Sequence, residues 1–187
     1  MSPCKPDLIE AGRSLLIVVD IQPPFLKALF EPERVVANSR KLIACAGICG
    51  VPVVATTQNA EKLGAMDAAI AELLPDTNPL DKMSFSCMGS DEFRSVLDGF
   101  EGRAQAVLCG LETHICINQT AHELMDAGFA VHLAADAVSS RGESDYRFGL
   151  ERLRQAGAVV SVTESVIYEW LRRAGTPEFR EALKWVR

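Results

Sequence analysis

Five short runs of nearly uninterrupted apolar residues recur along the chain, at 14–19, 51–57, 104–109, 130–135 and 159–163. Between them apolar side chains return every three or four positions. Runs such as Ser14-Leu-Leu-Ile-Val-Val19, apolar on both alternations, fit strands covered on both faces, as in a parallel sheet. The helical spacing predicts helices over 32–49, 62–74, 90–97, 114–127, 143–156 and 177–185, with Gly50, Gly128 and Gly157 standing where helix C-termini are expected. A short edge strand is expected over 83–86. The segment from Thr163 onward reads as a helix pair that packs on the sheet or on a neighbouring subunit. Alternating strands and helices predict an α/β fold: a three-layer α-β-α sandwich around a doubly wound, mostly parallel sheet, Rossmann-like, in the order 3-2-1-4-5-6 with right-handed crossovers.

At 187 residues and 48% apolar content the chain supplies one well-buried core, so one domain over 1–187 is expected. A net charge of -6 without any basic tract argues against nucleic acid as a partner. No apolar run approaches the length of a membrane span, and Met1-Ser-Pro-Cys-Lys-Pro-Asp7 lacks a signal-peptide core, so no membrane partner and a cytoplasmic location are expected. The cysteines Cys4, Cys45, Cys49, Cys87, Cys109 and Cys116 are then expected as reduced thiols. Cys45 and Cys49 share a helix face, but no second Cys/His pair completes a metal site, and packing is the preferred reading.

In open α/β sheets ligands gather at the carboxyl ends of the strands, near the point where strand order reverses. Two residues suited to chemistry fall there. Cys116 follows the 104–109 strand in Gly110-Leu-Glu-Thr-His-Ile-Cys116 and opens a helix, whose unpaired N–H groups and dipole favour a thiolate. Asp20 ends the first strand in Val19-Asp-Ile-Gln-Pro-Pro-Phe25, and five apolar residues before it make its carboxylate a better proton acceptor. Taken alone, Cys116 also reads as a buried structural cysteine and Asp20 as the cap of a turn. Lys82, alone a surface lysine, would beside a Cys–Asp pair hold a developing anion.

His114, two positions from Cys116 on a helix, points elsewhere, and His132 within a strand reads as packing. No Asp-x-His metal motif follows the second strand, which ends in Thr56-Thr-Gln-Asn-Ala60. No Gly-rich turn follows the first strand and no Gly-x-Ser-x-Gly elbow occurs, so no cofactor is implied and a serine hydrolase is not supported.

The Asp-x-Gln-x-x-Phe turn at Asp20, the mid-chain lysine at Lys82 and Gly-x-x-Thr-x-x-Cys at Gly110 together resemble the isochorismatase-like cysteine hydrolase superfamily. Gly110-Leu-Glu-Thr-His-Ile-Cys-Ile-Asn-Gln-Thr120, Ala134-Ala-Asp-Ala-Val-Ser-Ser-Arg141 and the Glu164 to Leu171 segment are most similar to its isochorismatase domain-containing proteins. The resemblance spans about 14–187. It implies a triad of Asp20, Lys82 and Cys116, a non-proline cis peptide before Glu112, an oxyanion hole made by the Glu112 and Cys116 amides, and a homo-oligomer. It also separates this chain from two branches: nicotinamidases carry an Asp/His/His metal site, and isochorismate-cleaving members have a small residue in place of the cysteine.

The expected function is therefore a metal-independent hydrolase of a small amide, ureido or carbamoyl-type C–N bond, acting through a Cys116 thioester. A helix dipole contributes about 0.3–1 kcal/mol, less than tenfold in thiol ionisation, so Lys82 is expected to supply the rest. Gln22, Phe25, Asn59 and Phe85 are the expected substrate-binding walls, with Thr57, Met88 and Phe30 less central. Two other readings use the same residues differently. One is an oligomeric scaffold whose apolar segment Val166-Ile-Tyr-Glu-Trp-Leu171, with Phe179, Leu183 and Trp185, forms a subunit interface; the other is a redox sensor pairing Cys116 with Cys87 or Cys109.

Overall fold

The computed structural model describes residues 8–74 and 77–187; the N-terminal segment with Cys4 lies outside them. Six strands form one sheet: β1 (Ser14–Val19), β2 (Val53–Gln58), β3 (Leu80–Lys82), β4 (Gln105–Leu111), β5 (Ala130–Ser139) and β6 (Val159–Ser161). Their order is β3-β2-β1-β4-β5-β6, and every pairing is parallel. The 3-2-1-4-5-6 order is the expected one, in a sheet parallel throughout rather than mostly so.

Around the sheet lie α1 (Pro23–Leu26), α2 (Pro32–Ile48), α3 (Ala60–Leu63), α4 (Ala68–Ala71), α5 (Asp91–Asp98), α6 (Cys116–Asp126), α7 (Glu143–Ala156), α8 (Thr163–Leu171) and α9 (Pro177–Val186). Two apolar layers follow from the pleat. Leu16 and Val18 join α2 and α8 in one core, while Leu15, Ile17 and Val19 join α5 and α6 in the other. Every residue of β1 is buried, which is why its sequence shows no alternation.

Three elements differ from expectation. The edge strand is β3 at Leu80–Lys82 rather than 83–86, because residues after Lys82 leave the sheet and turn their carbonyls back onto its side chain: Ser84 O and Phe85 O each accept from Lys82 Nζ at 3.3 Å. The single helix over 62–74 is two one-turn helices, α3 and α4. Gly64 breaks it with φ +82°, and its carbonyl accepts from Gln22 Nε2 at 2.7 Å instead of continuing a helical ladder. The C-terminal helix pair packs within the chain: Val166, Ile167, Trp170 and Ala182 are buried against α2 and its neighbours, so these side chains are not an interface face.

Candidate active site

β1 lies between β2 and β4, so the carboxyl ends of all three converge. Asp20 is the first residue past β1 and adopts φ +51°, a left-handed conformation Asp tolerates better than most residues. Its N–H donates to Thr56 O at 3.2 Å. Its carboxylate is shared: Oδ1 accepts from Thr56 Oγ1 at 2.8 Å and Oδ2 from Lys82 Nζ at 2.6 Å. Both members of this ion pair have side chains only 1% exposed. Lys82 enters from the end of β3, and its ammonium is further held by Gln58 Oε1 at 2.8 Å. A lysine so buried needs that many acceptors, since an unpaired charge in the interior is strongly disfavoured.

The β1–β4 contact is closer than a side chain would allow. Gly110 pairs with Val19, and a Cβ at Gly110 would sit 2.0 Å from Val19 O, on a backbone with φ +113°. Just beyond, the Leu111–Glu112 peptide is cis, as the resemblance implied. Glu112 O accepts from the N–H groups of Ile115 and Ile117, turning the chain into α6 with Cys116 as its first helical residue. Among the described residues no hydrogen bond takes up the amide of Glu112 or of Cys116. The Glu112 carboxylate points away, to the Arg141 guanidinium at 3.1 Å.

Cys116 is buried. Burial first, and then the Asp20 carboxylate by its charge and as an acceptor, push the thiol up to about 12, against the lowering pull of Lys82. Lys82 lowers the thiol, in the direction expected of it, but burial and Asp20 outweigh it. The ammonium is already occupied by Asp20, Gln58 and two carbonyls, and the thiol rests protonated beside a carboxylate able to take its proton.

Cys116, Asp20 and Gln58 face a cavity of about 60 Å³. Of the expected walls, Phe25 and Phe85 line it, joined by Leu111 and Ile115; Gln22 and Asn59 do not. The Gln22 amide is consumed within the scaffold. Its Nε2 donates to Gln58 O and Gly64 O, and its Oε1 accepts from Gln58 N at 2.8 Å. Asn59 acts through its backbone, its N–H donating to Lys82 O at 3.0 Å. Gln58 is the residue sequence reasoning passed over. It stands at the end of a buried strand as Asp20 does, and Nε2 donates to Met83 O at 2.9 Å while Oε1 holds Lys82.

The remaining candidates are placed as scaffold. His114 Nδ1 lies 2.9 Å from Ser140 Oγ, and His132 is buried, which lowers its tendency to protonate. Cys45, Cys49, Cys87, Cys109 and Cys116 are free thiols, Cys109 pushed up to about 12 by burial. Cys87 sits close beneath the site, its Sγ 3.8 Å from Thr56 Oγ1 and its N–H donating to Thr120 Oγ1. Among the described residues no group of three His, Cys, Asp or Glu side chains could hold a metal ion, and no helix is long and apolar enough to cross a membrane.

The chain is similar to known proteins over most of its length. Residues 14–165 match the Isochorismatase domain family. The chain is 36% identical over 177 residues to the secreted isochorismatase effector Isc1 of Phytophthora sojae, covering 93% of this chain and 84% of that one. Among solved structures, the MAR1 ribonuclease of Caenorhabditis elegans superposes with a TM-score of 0.90 at 31% identity, over 96% of this chain and 92% of that one. The octameric YcaC hydrolase of unknown specificity from Escherichia coli shares the fold, with a TM-score of 0.85 at 22% identity over 91% and 85%. A six-stranded parallel sheet in this order, with a family match over most of its length, makes the chain a member of the isochorismatase family, with that family's hydrolase fold.

Proposed function

We propose that the protein is a cysteine hydrolase that cleaves a small amide, ureido or carbamoyl-type C–N bond, with Cys116 as nucleophile, Asp20 as proton acceptor and donor, and Lys82 fixing Asp20. The observation that carries this is a buried thiol at the N-terminus of α6 facing the Asp20 carboxylate across the same cavity, with two unclaimed backbone amides beside it.

As Sγ attacks the carbonyl carbon, Asp20 takes the thiol proton, so ionisation and bond formation occur together and no standing thiolate is needed. The developing oxyanion is held by the Glu112 and Cys116 N–H groups, donors of a kind whose loss typically costs about 100- to 1,000-fold in rate. Collapse of the tetrahedral intermediate breaks the C–N bond, and the proton on Asp20 passes to the departing amine. Water then attacks the thioester, Asp20 taking its proton. The second collapse releases the acid, and Sγ recovers the proton from Asp20. Lys82 stays an ammonium throughout, and its two-point grip with Gln58 keeps the carboxylate aimed at Sγ.

The name of the ribonuclease relative finds no matching feature here. A polyanion calls for a basic track, whereas this chain carries a net charge of -6 and no basic tract. Self-association into a homo-oligomer is part of the proposal, with Phe148 and Met83 as exposed apolar side chains available to such a contact.

The test is a screen of small amides, ureas and carbamoyl compounds for ammonia or amine release by wild type, Cys116→Ala and Asp20→Asn. The reading expects release by wild type alone. Release that survives in Cys116→Ala assigns the chemistry elsewhere.

A further inference from the structure

Resting on that reading, we infer that the acyl group accepted at Cys116 is short and uncharged: an acyl chain of about two to four non-hydrogen atoms bearing no carboxylate. Two independent features of the cavity carry the inference.

The first is size. A cavity of about 60 Å³ is less than half the roughly 150 Å³ of an engineered apolar cavity that admits benzene. Phe25, Phe85, Leu111 and Ile115 line it, so what fits is a few carbons against apolar and aromatic walls. A six-membered ring carrying further substituents does not fit that space.

The second is charge. Among the described residues, no arginine, lysine or histidine lines the cavity. The nearest ammonium, Lys82, is saturated by Asp20, Gln58 and the carbonyls of Ser84 and Phe85. Arg141 is turned onto the Glu112 carboxylate and is 60% exposed. The ionisable residues that do line the cavity, Asp20 and Glu112, each have their carboxylate paired already, with Lys82 and Arg141. A substrate carboxylate entering here would lose its water and find no unpaired cation, which disfavours binding and acylation by about 100-fold or more. A positively charged substituent fares no better among Phe25, Phe85, Leu111 and Ile115, because the carboxylates of Asp20 and Glu112 are already paired with Lys82 and Arg141.

Isosteric pairs separate charge from size: butyramide against β-alaninamide (ammonium), and 3-methylbutanamide against malonamate (carboxylate), each assayed for ammonia release. The inference expects kcat/KM for the neutral member of each pair to exceed its charged partner by about 100-fold or more. Equal or faster turnover of either charged amide overturns the inference while leaving the cysteine hydrolase reading intact; ammonia release from none of them overturns the inference, and the screen of ureas and carbamoyl compounds then decides the hydrolase reading. A second variant addresses size. Phe85 is 54% exposed, so Phe85→Ala leaves the core untouched while removing one cavity wall. In a neutral series from acetamide to hexanamide, the chain length of highest kcat/KM is expected to lengthen in Phe85→Ala. An unchanged optimum shows that the acyl group does not occupy this cavity and overturns the inference.

Discussion

The Lys82 ammonium donates to Asp20 Oδ2 at 2.6 Å, and the two side chains are each 1% exposed, so a salt bridge joins the ends of β1 and β3 inside the molecule. A pair so deep is not a simple source of stability, because desolvation offsets much of the attraction; removing one partner alone strands the other charge.

Lys82→Met is therefore expected to destabilise the fold by about 3–5 kcal/mol, and Asp20→Asn/Lys82→Met by less than the sum of the two single changes. Urea unfolding of the four proteins reads the coupling. Additive losses would show that the two groups do not act as a pair.

Gln58 holds Lys82 with one end of its amide and Met83 O with the other. Gln58→Ala is expected to lower kcat more than it raises KM and to cost about 1–3 kcal/mol of stability, the range for stranding buried hydrogen-bonding groups. Steady-state kinetics on whichever amide the screen identifies, together with urea unfolding, separates the two effects.

Gly110→Ala places a methyl 2.0 Å from Val19 O at φ +113°, and neither backbone can retreat without breaking the β1–β4 register. A loss of about 3 kcal/mol or more is expected. Gly64→Ala meets no atom within 4 Å and has only its φ of +82° to satisfy, so its cost should be smaller, about 1–3 kcal/mol. Thermal melts of both variants rank them.

Burial raises the Cys109 thiol from an ordinary 9.0 to about 12 in the folded protein. Below pH 9 both folded and unfolded thiols keep their protons and the contribution is constant. Between pH 9 and about 12 the unfolded thiol ionises while the folded one does not, so stability falls as pH rises, by up to about 1.4 kcal/mol per pH unit from this thiol. Cys109→Ala should flatten the decline of unfolding free energy above pH 9 by that slope. An unchanged slope would mean the buried thiol ionises as readily folded as unfolded.

The sheet was readable because its cause is local: strands buried on both faces leave apolar runs such as 14–19 that carry their own signature. Strand order brought Asp20 and Cys116 together for the same reason, since a parallel sheet with short crossovers leaves few arrangements. What the pattern could not show were contacts made by backbone and amides. The Ser84 and Phe85 carbonyls that close on Lys82 carry no residue-type signal, and the expected edge strand fell on those very residues. Gln22 illustrates the converse. A polar residue at a strand end looked like a substrate contact, yet its whole amide is spent on Gln58 and Gly64, and the adjoining strand's Gln58 reaches the cavity instead. The thiol's state also depended on three dimensions, because burial first, and then the nearby Asp20 carboxylate, outweigh the lowering expected from a helix N-terminus and a lysine alone.

The nucleophile itself is tested most directly by acid-quenching the enzyme during turnover of a neutral short-chain amide and mapping the acylated peptide by mass spectrometry. The account predicts a hydroxylamine-labile acyl group on Cys116 that disappears in Cys116→Ala and forms far more slowly in Asp20→Asn. An acyl group on Cys87, or turnover with no acylated cysteine at all, would contradict it.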